Sequence, residues 1–160
     1  MSDDENGLST PAQVEALADG LSACADQLHA RIKEEAAAIA AMLDGSAARA
    51  QRLAAAERLF DAEQELRQRA NGLYADAAAA VVVKLGKPQQ AVIALTQAAA
   101  EEIRRITLLG DAAGLVAGLL ALAGGIATAQ AAPVLAALET IRVQIKAVKA
   151  SLPPKPAKTP

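Results

Sequence analysis

Aromatic residues are almost missing from this 160-residue chain: Phe60 and Tyr74 are present, tryptophan is absent, and the aromatic share is 1%. That excludes a bulky aromatic core and leaves no stacking platform for nucleobases. β-Branched residues are scarce outside short runs such as Val81-Val82-Val83, which argues against sheets. Cys24 is the single cysteine, so no disulfide can form within the chain. It lies at an apolar helical position, as a small core residue would. His29 is the single histidine. No Cys, His, Asp and Glu set has metal-ligand spacing, and no nucleophile stands in a recognisable motif with a histidine. Glu34-Glu35 and Glu101-Glu102 are adjacent acids, which diverge on a helix and read as solvated faces. Asp61, Glu63 and Glu65 lack the Glu-x-x-His partners of a di-iron bundle. The Leu85-Gly86-Lys87-Pro88 stretch lacks the spacing of a phosphate loop. The expectation is a protein that is not an enzyme, with no cofactor, no metal, no small-molecule substrate and no nucleic-acid partner.

What is present is alanine. The chain is 53% hydrophobic, and half of that is alanine, the best helix former and a residue that buries little area. Long, closely packed helices follow. Thr10-Pro11-Ala12-Gln13 reads as an N-cap, a first-turn proline and a capping box. Apolar positions then recur in steps of three and four at Val14, Leu17, Leu21, Cys24, Leu28, Ile32, Ala36, Ile39 and Leu43, a heptad-like seam. Asp44-Gly45-Ser46 closes this helix and caps the next. Leu59, Leu66, Leu73 and Ala80 keep their seven-residue phase across Asn71-Gly72, which predicts one continuous helix there. Gly86 suits a helix C-terminus and Pro88 a new first turn. A third helix runs through Val92, Leu95, Ala99, Ile103, Ile106 and Leu109. At Gly110-Asp111 it either stops, with Asp111 capping a new helix, or carries on. Pro133 breaks it. Val134, Leu138, Ile141, Ile145, Val148 and Leu152 form an amphipathic last helix.

The predicted architecture is all-α: an elongated antiparallel bundle with coiled-coil-like packing, three long helices plus a shorter C-terminal amphipathic one. The helices are placed at 10–44, 46–85, 88–132 and 134–152, with a disordered N-terminus at 1–9 and a disordered Pro/Lys tail at 153–160.

Charge is uneven although the net is -2. Residues 1–44 hold nine acids against Arg31 and Lys33. Residues 112–160 hold Glu139 against Arg142, Lys146, Lys149, Lys155 and Lys158. Either the first and last helices are complementary neighbours, or the basic face of Arg142, Lys146 and Lys149 meets an anionic membrane or partner. The acidic start lacks the apolar run of a secretory signal, so a cytoplasmic setting, with membrane association left open, is the expectation.

From Ala112 to Leu138 there is no charge at all. Gly110, Gly114 and Gly118 form a G-x-x-x-G-x-x-x-G series, with Leu115, Leu119 and Leu122 beside it. Glycines four apart let a second helix approach closely. Such a segment, apolar all round, has to be covered by protein or lipid. Three readings are open. It is the central helix of a soluble bundle or homo-oligomer, in a scaffold protein that binds itself or a helical partner. Or it forms with 134–152 an apolar-amphipathic hairpin that is sheltered in a soluble bundle and inserts in, or lies on, a membrane when the bundle opens. Or it spans a bilayer once. On the glycine series alone, the hairpin resembles in design the α-helical pore-forming and translocator proteins. The resemblance implies no residue roles.

Overall fold

A computed structural model describes residue 8 and residues 10–42, 45–82 and 89–151. The protein is all-α, with five helices and, among the described residues, no strand. They are α1 (Pro11–Ala40), α2 (Ala47–Ala75), α3 (Gln89–Arg105), α4 (Ala113–Ala127) and α5 (Ala131–Ser151). The expectations for Asp44, Gly86, Pro88, the tail 153–160 and most of 1–9 lie outside the described residues.

Local chemistry starts the helices. Thr10 Oγ1 accepts from the Gln13 amide at 3.3 Å, and the Gln13 side chain accepts from the Thr10 amide at 3.2 Å, with Pro11 in the first turn. Ser46 caps α2 by accepting from the Arg49 amide, just after Gly45 turns the chain at φ 79°. α2 runs through Asn71-Gly72.

Three expected boundaries are corrected. The helix drawn to residue 85 ends at Ala75. The chain then turns through 76–80 and pairs Val82 with Leu8 by two backbone hydrogen bonds of 2.9 Å. Both side chains are fully buried, so Leu8, expected to be disordered, instead helps close this end of the core. Helix 88–132 is two helices. It breaks after Arg105, passes through extended Leu108, and restarts in a 3-10 turn at Leu109–Ala112. Asp111 caps neither. The bend folds α4 back onto the bundle and buries Ile106, Leu109 and Ala112. Pro133 breaks nothing. It sits in the first turn of α5, where a missing N–H costs little, and the reversal falls at Ala129 with φ 54°.

Neighbours fix the topology. Arg52 meets Glu35, His29 meets Glu63, and Arg67 meets Asp26, so α2 descends as α1 ascends. Cys24 lies on Thr96 and Arg31 on Ile106, so α3 runs parallel to α1. Lys149 lies by Glu102, so α5 runs parallel to α3, while Gly118 faces Ile141 and Gly125 faces Val134, so α5 is antiparallel to α4. The helices close a ring in the order α2, α1, α3, α5, α4, with α3 and α5 sharing its thinnest seam. α1, α3 and α5 form one layer and α2 and α4 the other. The acidic first helix and basic last helix therefore do not form a seam, because α3 separates them.

In the α1–α3 seam Gly20 lets the two helices approach closely. A Cβ there would press into Thr96, whose carbonyl accepts from the Cys24 thiol at 3.3 Å. Burial pushes that thiol up to about 12, which keeps it protonated and inert. Gly72 faces open space. Gly20→Ala is therefore expected to destabilise the fold by about 1–3 kcal/mol through overpacking. Gly72→Ala should stabilise it by about 0.5–1 kcal/mol. Denaturant midpoints of the two variants check this opposition.

Candidate functional site: the uncharged hairpin

α4 contains no charged residue, and its sides meet different surroundings. Leu115, Leu119 and Leu122, with Ile126, are fully buried. They form the inward face of the bundle's own core. Fully burying each stabilises by about 1.5–3 kcal/mol.

The glycine series is divided. Gly110 lies in the 3-10 turn, exposed, with nothing within 4 Å of an added Cβ, so it takes no part in helix packing. Gly114 lies under the flexible side chain of Gln144. Gly118 is buried against α5, where a Cβ would come within 3.0 Å of Ile141 Cγ1 and 3.3 Å of Thr140 Cγ2. At Gly125, outside the predicted series, an added Cβ would lie 3.1 Å from the Val134 amide nitrogen, the tightest such approach to backbone at any of these glycines. The working notch is Gly114, Gly118 and Gly125, with steps of four and seven. That helical spacing was readable in the sequence, although the four-residue motif concealed it. The notch is filled by the chain's own α5.

The outward face of α4 is Ala113, Ala117 and Ala121, all exposed. It continues across the seam onto exposed Ala136, Thr140, Val143 and Ala147 of α5, with Val143 49% exposed. No charge interrupts this face. The charges of α5 lie on its α3 side. Arg142 pairs with Glu139 (Nε to Oε2, 3.0 Å), Lys149 approaches Glu102 at 3.8 Å, and Lys146 is exposed.

Both seams joining the hairpin to the rest contain clefts. One of about 230 Å³ separates Leu59 and Ala62 from Val116 and Leu120. Another of about 190 Å³ separates Val92 and Leu95 from Leu135 and Leu138. Both are lined mainly by apolar side chains, with Arg58 at the first and Glu139 and Arg142 at the second.

Two carboxylates read as solvated or left unassigned are buried. Glu63, fully buried, accepts from Arg67 Nε at 2.8 Å and lies 3.2 Å from His29 Nδ1, tying α1 to α2. Glu102 is 3% exposed, and its Oε2 has no hydrogen-bond partner. Glu35 is also mostly covered, paired with Arg52 at 2.5 Å, whereas Glu34 and Glu101 are exposed as expected. Among the described residues no three His, Cys, Asp or Glu side chains are placed to hold a metal ion.

Compared with known proteins, the chain matches no protein-family model, no curated protein and no solved structure.

Substituting Gly118 tests the notch. Gly118→Leu is expected to cost about 2–3 kcal/mol by forcing α4 from α5, whereas Gly110→Leu should cost less than about 0.5 kcal/mol. Thermal or denaturant unfolding distinguishes them, and equal losses would show that the notch is not where the hairpin is held.

Proposed function

We propose that this protein acts without a catalytic centre, by helix packing. It is an elongated helical scaffold, resident in the cytoplasm, whose α4–α5 hairpin associates with a second copy or with a helical partner. The observation that carries this reading is the uncharged outward face formed by Ala113, Ala117 and Ala121 with Ala136, Thr140 and Val143. Small side chains without charge let another helix approach closely at little desolvation cost. Contiguous apolar surface of this kind marks interaction sites. The flanks are charged, with Arg58, Glu65 and Arg69 on α2 and Glu139, Arg142 and Lys146 on α5, which supplies a polar rim.

A second reading rests on a separate observation. Leu109–Ala127 spans 19 residues with mean hydropathy 1.7, long and apolar enough to cross a membrane, and 56% of its most apolar stretch is buried. On this reading the hairpin leaves the bundle at an anionic membrane, where Arg142, Lys146 and Lys149 meet headgroups. It also accounts for the clefts on both sides of the hairpin.

The paired variant Ala117→Glu/Ala121→Lys places charge on the outward face at exposed positions. Helical content and melting temperature should be kept while association, followed by light scattering or partner co-purification, falls at least ten-fold. Unaltered association would remove this face from the account. For the second reading, Arg142→Glu/Lys146→Glu should weaken co-sedimentation with anionic vesicles by at least about 30-fold, taking about 1 kcal/mol for each of the two cations removed from the surface, with the reversed charges adding to the loss. A parent protein that ignores such vesicles at low salt leaves the scaffold reading alone.

A further inference from the structure

Seam by seam, the hairpin's α4 packs more extensively on α5 than on α2, and its α5 more on α4 than on α3. Inside, Gly118 and Gly125 bring α4 onto α5 at contact distance. Outside, clefts of about 230 and 190 Å³ interrupt the seams to α2 and α3. The α3–α5 seam also buries Glu102 with one oxygen unpartnered and the other 3.8 Å from Lys149 Nζ. A buried carboxylate so poorly matched favours hydration, and hence opening, of that seam.

One covalent connection, residues 106–112, ties the hairpin to α1–α3. The Arg31 guanidinium donates to the Ile106 carbonyl, Leu108 is extended and 59% exposed, and Thr107 is exposed outside any helix. The connection has no proline. The three-and-four apolar spacing of α3 continues through Ile103, Ile106 and Leu109 to Val116. The same residues can therefore form an unbroken helix. Straightening would carry α4–α5 away from its own α1–α3 and bare Leu115, Leu119, Leu122 and Ile126. A second copy opened in the same way offers the identical seat.

We propose that the chain forms a domain-swapped dimer. In it, α3 and α4 join into one helix, and each copy's α4–α5 hairpin packs on the other copy's α1–α3. Every seam contact of the closed molecule is remade between copies, so the balance between the two forms rests on the hinge and on concentration. The swap goes beyond association through the outward face: it uses the inward face of the hairpin, and Ala117→Glu/Ala121→Lys separates the two, since it removes association through the outward face and leaves a swapped dimer untouched.

The full chain is refolded at high concentration and sized by light scattering, in parent and hinge variants. Thr107→Ala adds helix propensity that only the straightened form uses. It should raise the dimer constant on the order of ten-fold, about three-fold at each of two hinges. Leu108→Gly keeps the extended closed conformation at φ -105° but disfavours the joined helix, and should lower the constant on the order of ten-fold, about three- to four-fold at each of two hinges. Ala117→Glu/Ala121→Lys should leave the swapped dimer intact, and copies labelled differently should exchange slowly, because exchange requires opening. A dimer broken by Ala117→Glu/Ala121→Lys and unmoved by either hinge variant overturns the swap while keeping association through the outward face. A chain that stays monomeric at every concentration, Thr107→Ala included, overturns the swap. So does a hairpin protected only when anionic phosphatidylserine vesicles are added, with lipid then its occupant.

Discussion

Water cannot solvate a helix without charge on any face at an acceptable cost, and α4 is such a helix. The remainder of the chain is arranged to cover it. α2 and α5 flank it, the core beneath takes Leu115, Leu119, Leu122 and Ile126, and small residues alone remain outward. Alanine and glycine carry the cover. With so few large side chains, apolar area is hidden by bringing backbones together rather than by interdigitating bulk. Hence the close approaches at Gly118, Gly125 and Gly20, each against a specific neighbour.

Polar groups decide where the bundle is firm. The α1–α2 seam is stitched by Glu35 with Arg52, Glu63 with His29 and Arg67, and Arg67 with Asp26. Glu63 is fully buried yet satisfied, so removing one of its partners would leave a buried charge and cost far more than a surface pair. The α3–α5 seam brings Lys149 to 3.8 Å from Glu102. Its buried acid, Glu102, is half-satisfied and lies in the same seam as an apolar cleft. Incomplete packing and an unmatched carboxylate both lower the free energy of local opening. The molecule is thus firm at α1–α2 and loose at the edge that holds the hairpin.

That asymmetry gives the helix-packing proposal its physical basis. The outward face of α4–α5 offers shape and an absence of charge, which suits contact with another helix or with lipid. Its internal notch is already occupied, so association through the glycines themselves would require α4 to part from α5.

Much of the helical character was legible from residue types alone. Thr10, Pro11 and Gln13 specify a cap through local hydrogen bonds, and the phase of Leu59, Leu66 and Leu73 marks a buried stripe whatever surrounds it. The lack of charge in 112–138 dictated that α4 be covered. Tertiary structure decided what covers it. Residues 106–112 and 76–82 have the spacing of a helix, yet they bend, because one bend buries Ile106 and Leu109 and the other buries Val82 with Leu8, and a straight rod would leave them in water. Likewise Gly118 and Gly110 are indistinguishable in a four-residue repeat, and only the approach of α5 makes one a contact and the other a turn. Periodicity is a property of a segment read by itself. Burial belongs to pairs of segments far apart in the chain, so the bends, the partners of each glycine and the fate of Glu63 and Glu102 were settled by the folded whole.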